Sequence, residues 1–339
     1  MFQYEPFADL YCYFIEKGVN LLTENGILNF ITSNSFLRTN YGKPLRSFVS
    51  QKVDVLELIN IEDSQLFGNA TVNTAILCIT TRENAALARV VNATFDLKSN
   101  FNRFITNNSF EYLQEEFGKV SSWTLLTPEK LSLLNKIYGN RPTLEELNTK
   151  IRLGLATGSN EAFLIDTETE KNIIKSDPKS IDLIKPILRG RDIFKYGYKL
   201  PSLKILLTKN GVDVSKYPSV YKHLDSFGDS FKQRGAKGQH WTNLRACAFF
   251  DDFKLEKIVW IELSDMGRFA ICREEVYLLN SAYFLIPPKG YSSEVITAIL
   301  NSLVIHFVLH SIAESSGTGT ARWINNNVKE FPIPFINQQ

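Results

Sequence analysis

The sequence predicts an α/β sheet that lacks its opening strands, followed by an α+β domain. Three observations predict it. Residues 1–80 carry helix and strand signals in the order α, β, α, β, β, and a strand–helix–strand succession is the unit of a doubly wound sheet. That stretch supplies about three strands, whereas open sheets of this kind commonly have five or more. Beyond Trp123 the pattern changes to helices mixed with many short, aromatic β-runs.

The first helix covers residues 9–22. Leu10, Phe14, Val19 and Leu22 recur at helical spacing with Leu21 beside them, and Asp9 stands where an N-cap belongs. Asn25-Gly26 is a turn signal, and Gly26 to Ile31 reads as a buried strand. Tyr41 to Phe48 predicts a second helix with Leu45, Phe48 and Val49 inward. Val53–Ile61 and Val72–Thr80 are β-rich, and their connection from Glu62 to Thr71 makes them an antiparallel hairpin at the sheet edge. The strands that bind a nucleotide come first in such sheets, and they are absent here. Residues 86–122 are weakly patterned and read as a connector with short strands and a helix near Phe110–Phe117.

The second region has helices predicted at Pro128–Tyr138, Thr143–Asn148 and Val295–His310. Its β-runs include Leu203–Leu207, Lys257–Glu262, Arg268–Cys272 and Tyr277–Ile286. The chain thus divides into residues 1–85, a connector over 86–122 and a second domain over 123–339. No internal repeat or low-complexity segment is present.

The bulk numbers agree with two ordinary domains. The chain has 339 residues, 44% apolar and 22% charged, enough for two cores. Its 38 Lys and Arg against 36 Asp and Glu leave a net charge of +2. Any surface for a polyanion must therefore be local. Cys12, Cys78, Cys247 and Cys272 are too scattered for a metal clip and read as buried thiols of a reducing compartment. No apolar run approaches the ~20 residues of a membrane span, and the N-terminus lacks the basic start of a signal peptide. The protein is read as cytoplasmic.

Familiar catalytic signatures fail one by one. The loops ATGSN (156–160) and SSGTGTARW (315–323) are neither GxGxxG nor a P-loop. IPPK (286–289) lacks the Asn and the aromatic of an Asn-Pro-Pro-Tyr tetrapeptide. His306 and His310 share a helix face, with Glu314 continuing it, yet packing through Leu303, Phe307 and Val308 accounts for the segment without a metal. Triplets such as Asp177-Pro178-Lys179 and Asp252-Phe253-Lys254 lack the upstream acidic partner of a nuclease. No catalytic residue and no metal ligand is assigned.

Basic residues among aromatics are the informative signal. LRGRDIFKYGYK (188–199) holds Arg189, Arg191, Lys195 and Lys199 beside Phe194, Tyr196 and Tyr198. FKQRGAKGQHWTNLR (231–245) adds Lys232, Arg234, Lys237, His240, Trp241, Asn243 and Arg245, with glycines at 235 and 238. Arg and Asn make paired hydrogen bonds to base edges, and Lys and Arg neutralise phosphates. A solvated charged loop is the plain alternative.

Two series of residues carry a resemblance. Asp9-Leu10-Tyr11, Phe14-Ile15-Glu16-Lys17, Leu21-Leu22, Gly26-Ile27-Leu28, Asn34-Ser35-Phe36-Leu37, Tyr41-Gly42-Lys43 with Leu45-Arg46, and Phe67 to Val72 resemble the later motifs of adenine-specific DNA amino-methyltransferases. Gly154 to Phe163, Lys185-Pro186, Leu188 to Asp192, Tyr217-Pro218, Leu303 and the ending Phe331-Pro332-Ile333-Pro334 resemble a TaqI-like specificity domain. Together they resemble the C-terminal portion of a type IIG restriction–modification enzyme.

The resemblance implies a partial Rossmann-like methyltransferase sheet followed by a target-recognition domain. It implies S-adenosylmethionine as cofactor of the complete enzyme, none for this chain alone, and double-stranded DNA as partner. Phe14 matches a position near the cofactor's adenine, with core packing as the alternative. The hairpin from Phe67 to Ile79 would lie near a flipped target base, but Ile79 stands where relatives can place an aromatic. The cofactor loop and the Asn-Pro-Pro-Tyr tetrapeptide would precede Met1, so the chain is expected to be inactive alone. Candidate DNA contacts are Arg189, Arg191, Lys195, Arg234, Lys237, Asn243 and Arg245, with Arg322 and Trp323 of the Gly-rich loop. The rival expectations are a subunit of a split methyltransferase, with an apolar patch around Leu28, Phe30 and Ile31, and a DNA-independent interaction module.

Overall fold

The computed structural model describes residues 8–62, 73–82, 85–118, 122–313 and 321–335. The motif from Phe67 to Val72 and residues 315–320 of the Gly-rich loop lie outside the described residues. The chain forms two compact units: Met1–Gly139 with Phe307–Arg322, and Asn140–His306 with Trp323–Gln339.

In the first unit, the Asp9 carboxylate accepts from Leu10 N at 2.8 Å and caps α1 (Leu10–Leu21). The helix buries Cys12, Ile15 and Val19 and leaves Leu10, Phe14 and Leu21 exposed. Of the expected inward stripe only Val19 is buried. LYCYFI is apolar all round, so periodicity alone does not choose its face. Strand β1 (Ile27–Ser33) follows, then α2 (Lys43–Lys52) with Pro44 in its first turn. Leu45 and Val49 are buried as expected, and so is Arg46. The Arg46 guanidinium donates to Phe36 O at 2.5 Å and Thr39 O at 3.0 Å, and burial pushes its pKa down to about 10.

Strands β2 (Asp54–Glu62), β3 (Thr74–Thr80), β4 (Leu87–Thr94) and β5 (Ser109–Leu113) complete a five-stranded sheet in the order β1-β3-β2-β4-β5. Only β2 and β4 pair in parallel. β3 is antiparallel to both neighbours, from Ile27↔Thr80 to Ser33↔Thr74 and from Asp54↔Thr80 to Ile61↔Thr74. The expected hairpin exists, but β3 sits between β1 and β2 rather than at the edge. Its near-continuous burial is that of a central strand, whereas β1 exposes alternate residues, as an edge strand does. The helix expected near Phe110–Phe117 is replaced by β5 and a single turn, α4 (Gln114–Phe117).

One sheet face packs on α1 and α2 through Leu58, Leu77, Ile79 and Val90, closed by Phe117 and Trp123. The other carries Ile59, Ile61 and Val91 under Phe101 and Phe104 of α3 (Phe101–Asn108). α5 (Pro128–Tyr138) ends the segment, with Thr127 as its cap.

The second unit is built on two four-stranded sheets. Its elements run β6 (Lys150–Leu153), α6 (Asn160–Phe163), β7 (Leu164–Ile165), α7 (Thr167–Ser176), β8 (Ile184–Leu188), the hairpin β9 (Ile193–Phe194) and β10 (Gly197–Tyr198), and β11 (Lys204–Leu206). Then come α8 (Pro218–Asp225), α9 (Gly228–Lys232), β12 (Lys257–Ile261), β13 (Leu263–Ser264), β14 (Phe269–Cys272), β15 (Tyr277–Leu278) and β16 (Ala282–Ile286). The sheet orders are β15-β8-β11-β7 and β14-β12-β16-β6. Their shared core includes Phe163, Leu188, Ile205, Phe253, Tyr277 and Phe284.

Residues 144–148 form turns instead of the expected helix. The predicted helix Val295–His310 is two helices, α10 (Ser293–Leu300) and α11 (Leu303–Ile312), bent by 59°. At the bend, the side-chain amide of Asn301 accepts from Phe269 N at 3.0 Å and donates to Phe269 O at 2.9 Å. Phe331 and Ile333 of the FPIP ending are buried, and Ile333 N bonds Pro142 O at 2.8 Å. No single helix is long and apolar enough to cross a membrane among the described residues. All four cysteines are free thiols. Cys12 and Cys272 are buried as expected, but Cys78 and Cys247 are only half-buried.

Candidate nucleic-acid interface

The Gly-rich basic segment after α9 is a built loop. Arg234 spreads its fork over three backbone carbonyls: Phe231 O at 2.9 Å, Trp241 O at 2.7 Å and Asn243 O at 2.7 Å. Its guanidinium lies 4.0 Å from the Phe231 ring centre and 5.1 Å from that of Phe163. Burial lowers its pKa. Asn243 is also buried, accepting from His240 N at 2.9 Å and donating to Lys209 O at 3.3 Å. Of the candidate base-readers, Arg234 thus turns its two terminal nitrogens, and Asn243 its amide, into the loop. Residue type identifies a good donor but not the direction in which it points.

Residues that sequence reasoning missed complete the scaffold. Asn210 accepts from Gln239 N at 2.9 Å, and a Cβ on Gly238 would collide with that amide. Thr208 Oγ1 donates to Thr242 O at 2.6 Å and Leu244 N returns to Thr208 O at 3.0 Å. Gly158 has φ +83° and a Cβ there would strike Ala236 O, so ATGSN and the basic loop meet where only glycine fits. The Asn210-Gly211 turn beside Lys209 was the available signal. Two cations remain outward: Lys237, whose ammonium also reaches Lys232 O at 3.0 Å, and Arg245, whose backbone N bonds Thr157 O at 3.4 Å.

The second basic segment follows β8. Arg189 grips Asp192 with two parallel bonds, Nε to Oδ2 at 2.8 Å and Nη2 to Oδ1 at 2.7 Å, and Asp192 also accepts from Arg189 N at 2.8 Å. Burial raises the Asp192 pKa, but the bonds and charge of Arg189 outweigh it, and the carboxyl titrates below its ordinary value. Arg189 is thus committed within the turn, while Arg191, Lys195 and Lys199 face solvent. Leu206 lies opposite Ile184, so the loop tied to Thr208 leaves the β8–β11 ladder at one end and Arg189 lies beyond the other.

Trp323 is a core residue, 1% exposed, its indole donating to Ser264 O at 3.2 Å and its carbonyl accepting from Trp260 Nε1 at 2.6 Å. Its position after a polar loop gave no hint of this. Arg322 is exposed. Phe14 is 62% exposed on α1, so core packing does not account for it. Among the described residues no group of three or more His, Cys, Asp or Glu side chains is placed to hold a metal.

Two family matches accompany this geometry. Residues 2–67 match the Eco57I restriction-modification methylase and residues 185–333 the TaqI-like C-terminal specificity domain. The chain is 24% identical over 66% of its length to the Type II methyltransferase M.PaeR7I of Pseudomonas aeruginosa, covering 40% of that protein. It is 20% identical over 96% of its length to the Type II methyltransferase M.BstVI of Geobacillus stearothermophilus, covering 61% of that protein. In fold it resembles the Type IIL restriction-modification enzyme MmeI, solved in complex with DNA, with a TM-score of 0.58, 12% identity, and coverage of 94% of this chain and 40% of that one.

Proposed function

We infer that this chain, which belongs to the restriction–modification methyltransferases through its methylase segment and its TaqI-like specificity domain, recognises duplex DNA on behalf of an adenine-specific methyltransferase. One observation carries this: within the specificity match, two internally braced segments turn Arg191, Lys195, Lys237 and Arg245 outward. Such cations seat on phosphates or reach base edges, and a rigid loop loses little conformational entropy in doing so. Arg189, Arg234 and Asn243 support recognition at one remove, by fixing the turns that carry the outward groups.

The five-stranded sheet is read as the later part of a Rossmann-like methyltransferase sheet. An exposed Phe14 fits an apolar surface covered by S-adenosylmethionine or by more protein. The 339 residues contain neither a Gly-rich cofactor loop nor an Asn-Pro-Pro-Tyr tetrapeptide. The residues present therefore do not suffice to hold the cofactor, and no step of methyl transfer is assigned to this chain.

One observation favours a split enzyme, completed by a second chain. Asn34 N bonds Asn73 O and Thr81 N bonds Gly26 O, which makes the even positions of β1 the paired ones. The backbone groups of Ile27, Asn29, Ile31 and Ser33 thus point away from β3, along an edge where Ile27 and Ile31 are exposed. The expected patch is displaced: Leu28 and Phe30 are partly buried against the core, and the exposed apolar residues are Ile27, Ile31, Leu10, Phe14 and Leu21.

The test is selection of the purified chain on a random duplex library at two salt concentrations. Recognition predicts an enriched motif whose binding weakens with salt. Binding without enrichment points to the split enzyme. Absence of binding at both salts overturns the inference in favour of an interaction module.

A further inference from the structure

Between β9 and β10 the chain turns in two residues, Lys195 and Tyr196, with Phe194 opposite Gly197. Tyr196 occupies the left-handed region at φ +66°. That region favours glycine, and a bulky residue there is an outlier that the surroundings must enforce. Here they do: Tyr196 N donates to Phe269 O at 2.9 Å and Lys199 N to Asp192 O at 2.9 Å, Ile193 is buried, and the Tyr198 hydroxyl bonds the Glu274 carboxylate. The adjacent glycine is used otherwise. A Cβ on Gly197 would clash with the Phe194 ring, which lies against that backbone.

The result is a braced tip with two aromatic rings in solvent, Phe194 52% and Tyr196 61% exposed. Exposed Arg191, Lys195 and Lys199 surround it, and the Lys195 ammonium stands 5.6 Å from the Tyr196 ring centre. Two acidic groups bound to the hairpin's base are engaged, Asp192 by Arg189 and Glu274 by Tyr198. Rings in a cationic setting suit a ligand with flat apolar faces inside an anionic frame.

We propose that the Phe194–Tyr196 tip is a stacking wedge, its rings pressed against DNA bases while Arg191, Lys195 and Lys199 hold the flanking phosphates. This rests on the DNA-recognition function above and adds a positioning device to it. Wedges of this kind open a base step and fix the duplex on the protein without reading sequence.

The left-handed tyrosine provides the test. Tyr196→Gly removes the ring and suits the backbone, so thermal stability is kept or raised. Binding to a short mixed-sequence duplex is expected to fall about tenfold, the scale of one lost stacking contact. Phe194→Ala should weaken binding likewise, while Tyr196→Phe binds like the parent. The slope of log affinity against log salt separates ring from charge: unchanged in Tyr196→Gly, smaller by about one in Lys195→Ala. Parent-like affinity for a folded Tyr196→Gly overturns the wedge and leaves DNA recognition standing. A slope reduced as in Lys195→Ala also overturns it, because the ring then serves only to prop the ammonium. If the parent binds no duplex at either salt, the wedge and DNA recognition fail together.

Discussion

The side-chain amide of Asn60 donates to Asn92 Oδ1 at 2.8 Å, across the parallel pair β2 and β4. The bond belongs to a chain. Asn34 Nδ2 donates to Asn60 Oδ1 at 2.8 Å, and Asn92 Nδ2 donates to Leu125 O at 3.2 Å. Asn60 is 1% exposed, and Asn34 and Asn92 are half-buried on either side of it. Asn60→Leu keeps the volume and removes both links. It should destabilise the protein by about 1–3 kcal/mol, the net worth of two hydrogen bonds. Urea unfolding checks this, and a loss under about 0.5 kcal/mol contradicts it.

At Gly158 the basic loop and ATGSN touch. Alanine there meets both a left-handed backbone and Ala236 O. We expect Gly158→Ala to cost about 1–2 kcal/mol from the backbone conformation alone. Because the contact sets the loop, duplex binding should weaken although residue 158 brings no charge. Parent-like melting and binding together would exclude that coupling.

Lys237 and Arg245 carry outward charge on a scaffold they do not build. Lys237→Ala and Arg245→Ala should leave the melting temperature in place and each reduce the salt slope of duplex binding by about one. Arg234→Met should behave in the opposite way. It strips three carbonyls of their donor, lowers stability by about 2 kcal/mol and weakens binding through loss of the loop. Calorimetry with binding at several salts distinguishes the two classes.

Asp192 gives a pH signature. Its folded pKa lies below the unfolded value, so its contribution is complete above the ordinary Asp pKa and is lost as pH falls through the folded one. Asp192→Asn should therefore cost about 2 kcal/mol at neutral pH, with the gap to the parent narrowing below about pH 4. Urea titrations across the acid range measure it; a gap independent of pH would assign the loss to packing.

The first half of the sheet was legible because each of its strands is a short apolar run bounded by turns. β4 was not. LARVVNAT places Arg89 and Asn92 among its valines, and Arg89 is tolerated because it pairs with Glu57 of the neighbouring strand at 2.5 Å. That partner is invisible along the chain. The fold order of β3 was hidden for the same reason: a hairpin signal states that two strands pair but not what lies on the other side. In the interface, composition located both basic segments. It could not separate Arg234 from Arg245, because three backbone carbonyls converge on one guanidinium only after the loop has closed.

The insertion of β3 has a consequence for synthesis. β1 and β2 each hydrogen-bond to β3 and not to one another. Among the described residues before β3, β1 and β2 thus have no ladder between them. The β1–β3–β2 ladder therefore cannot close until Thr80 has left the ribosome, when β3 can pair with both neighbours. A chain shortened before that point would leave the β3-facing edges of β1 and β2 unpaired and open to other nascent chains.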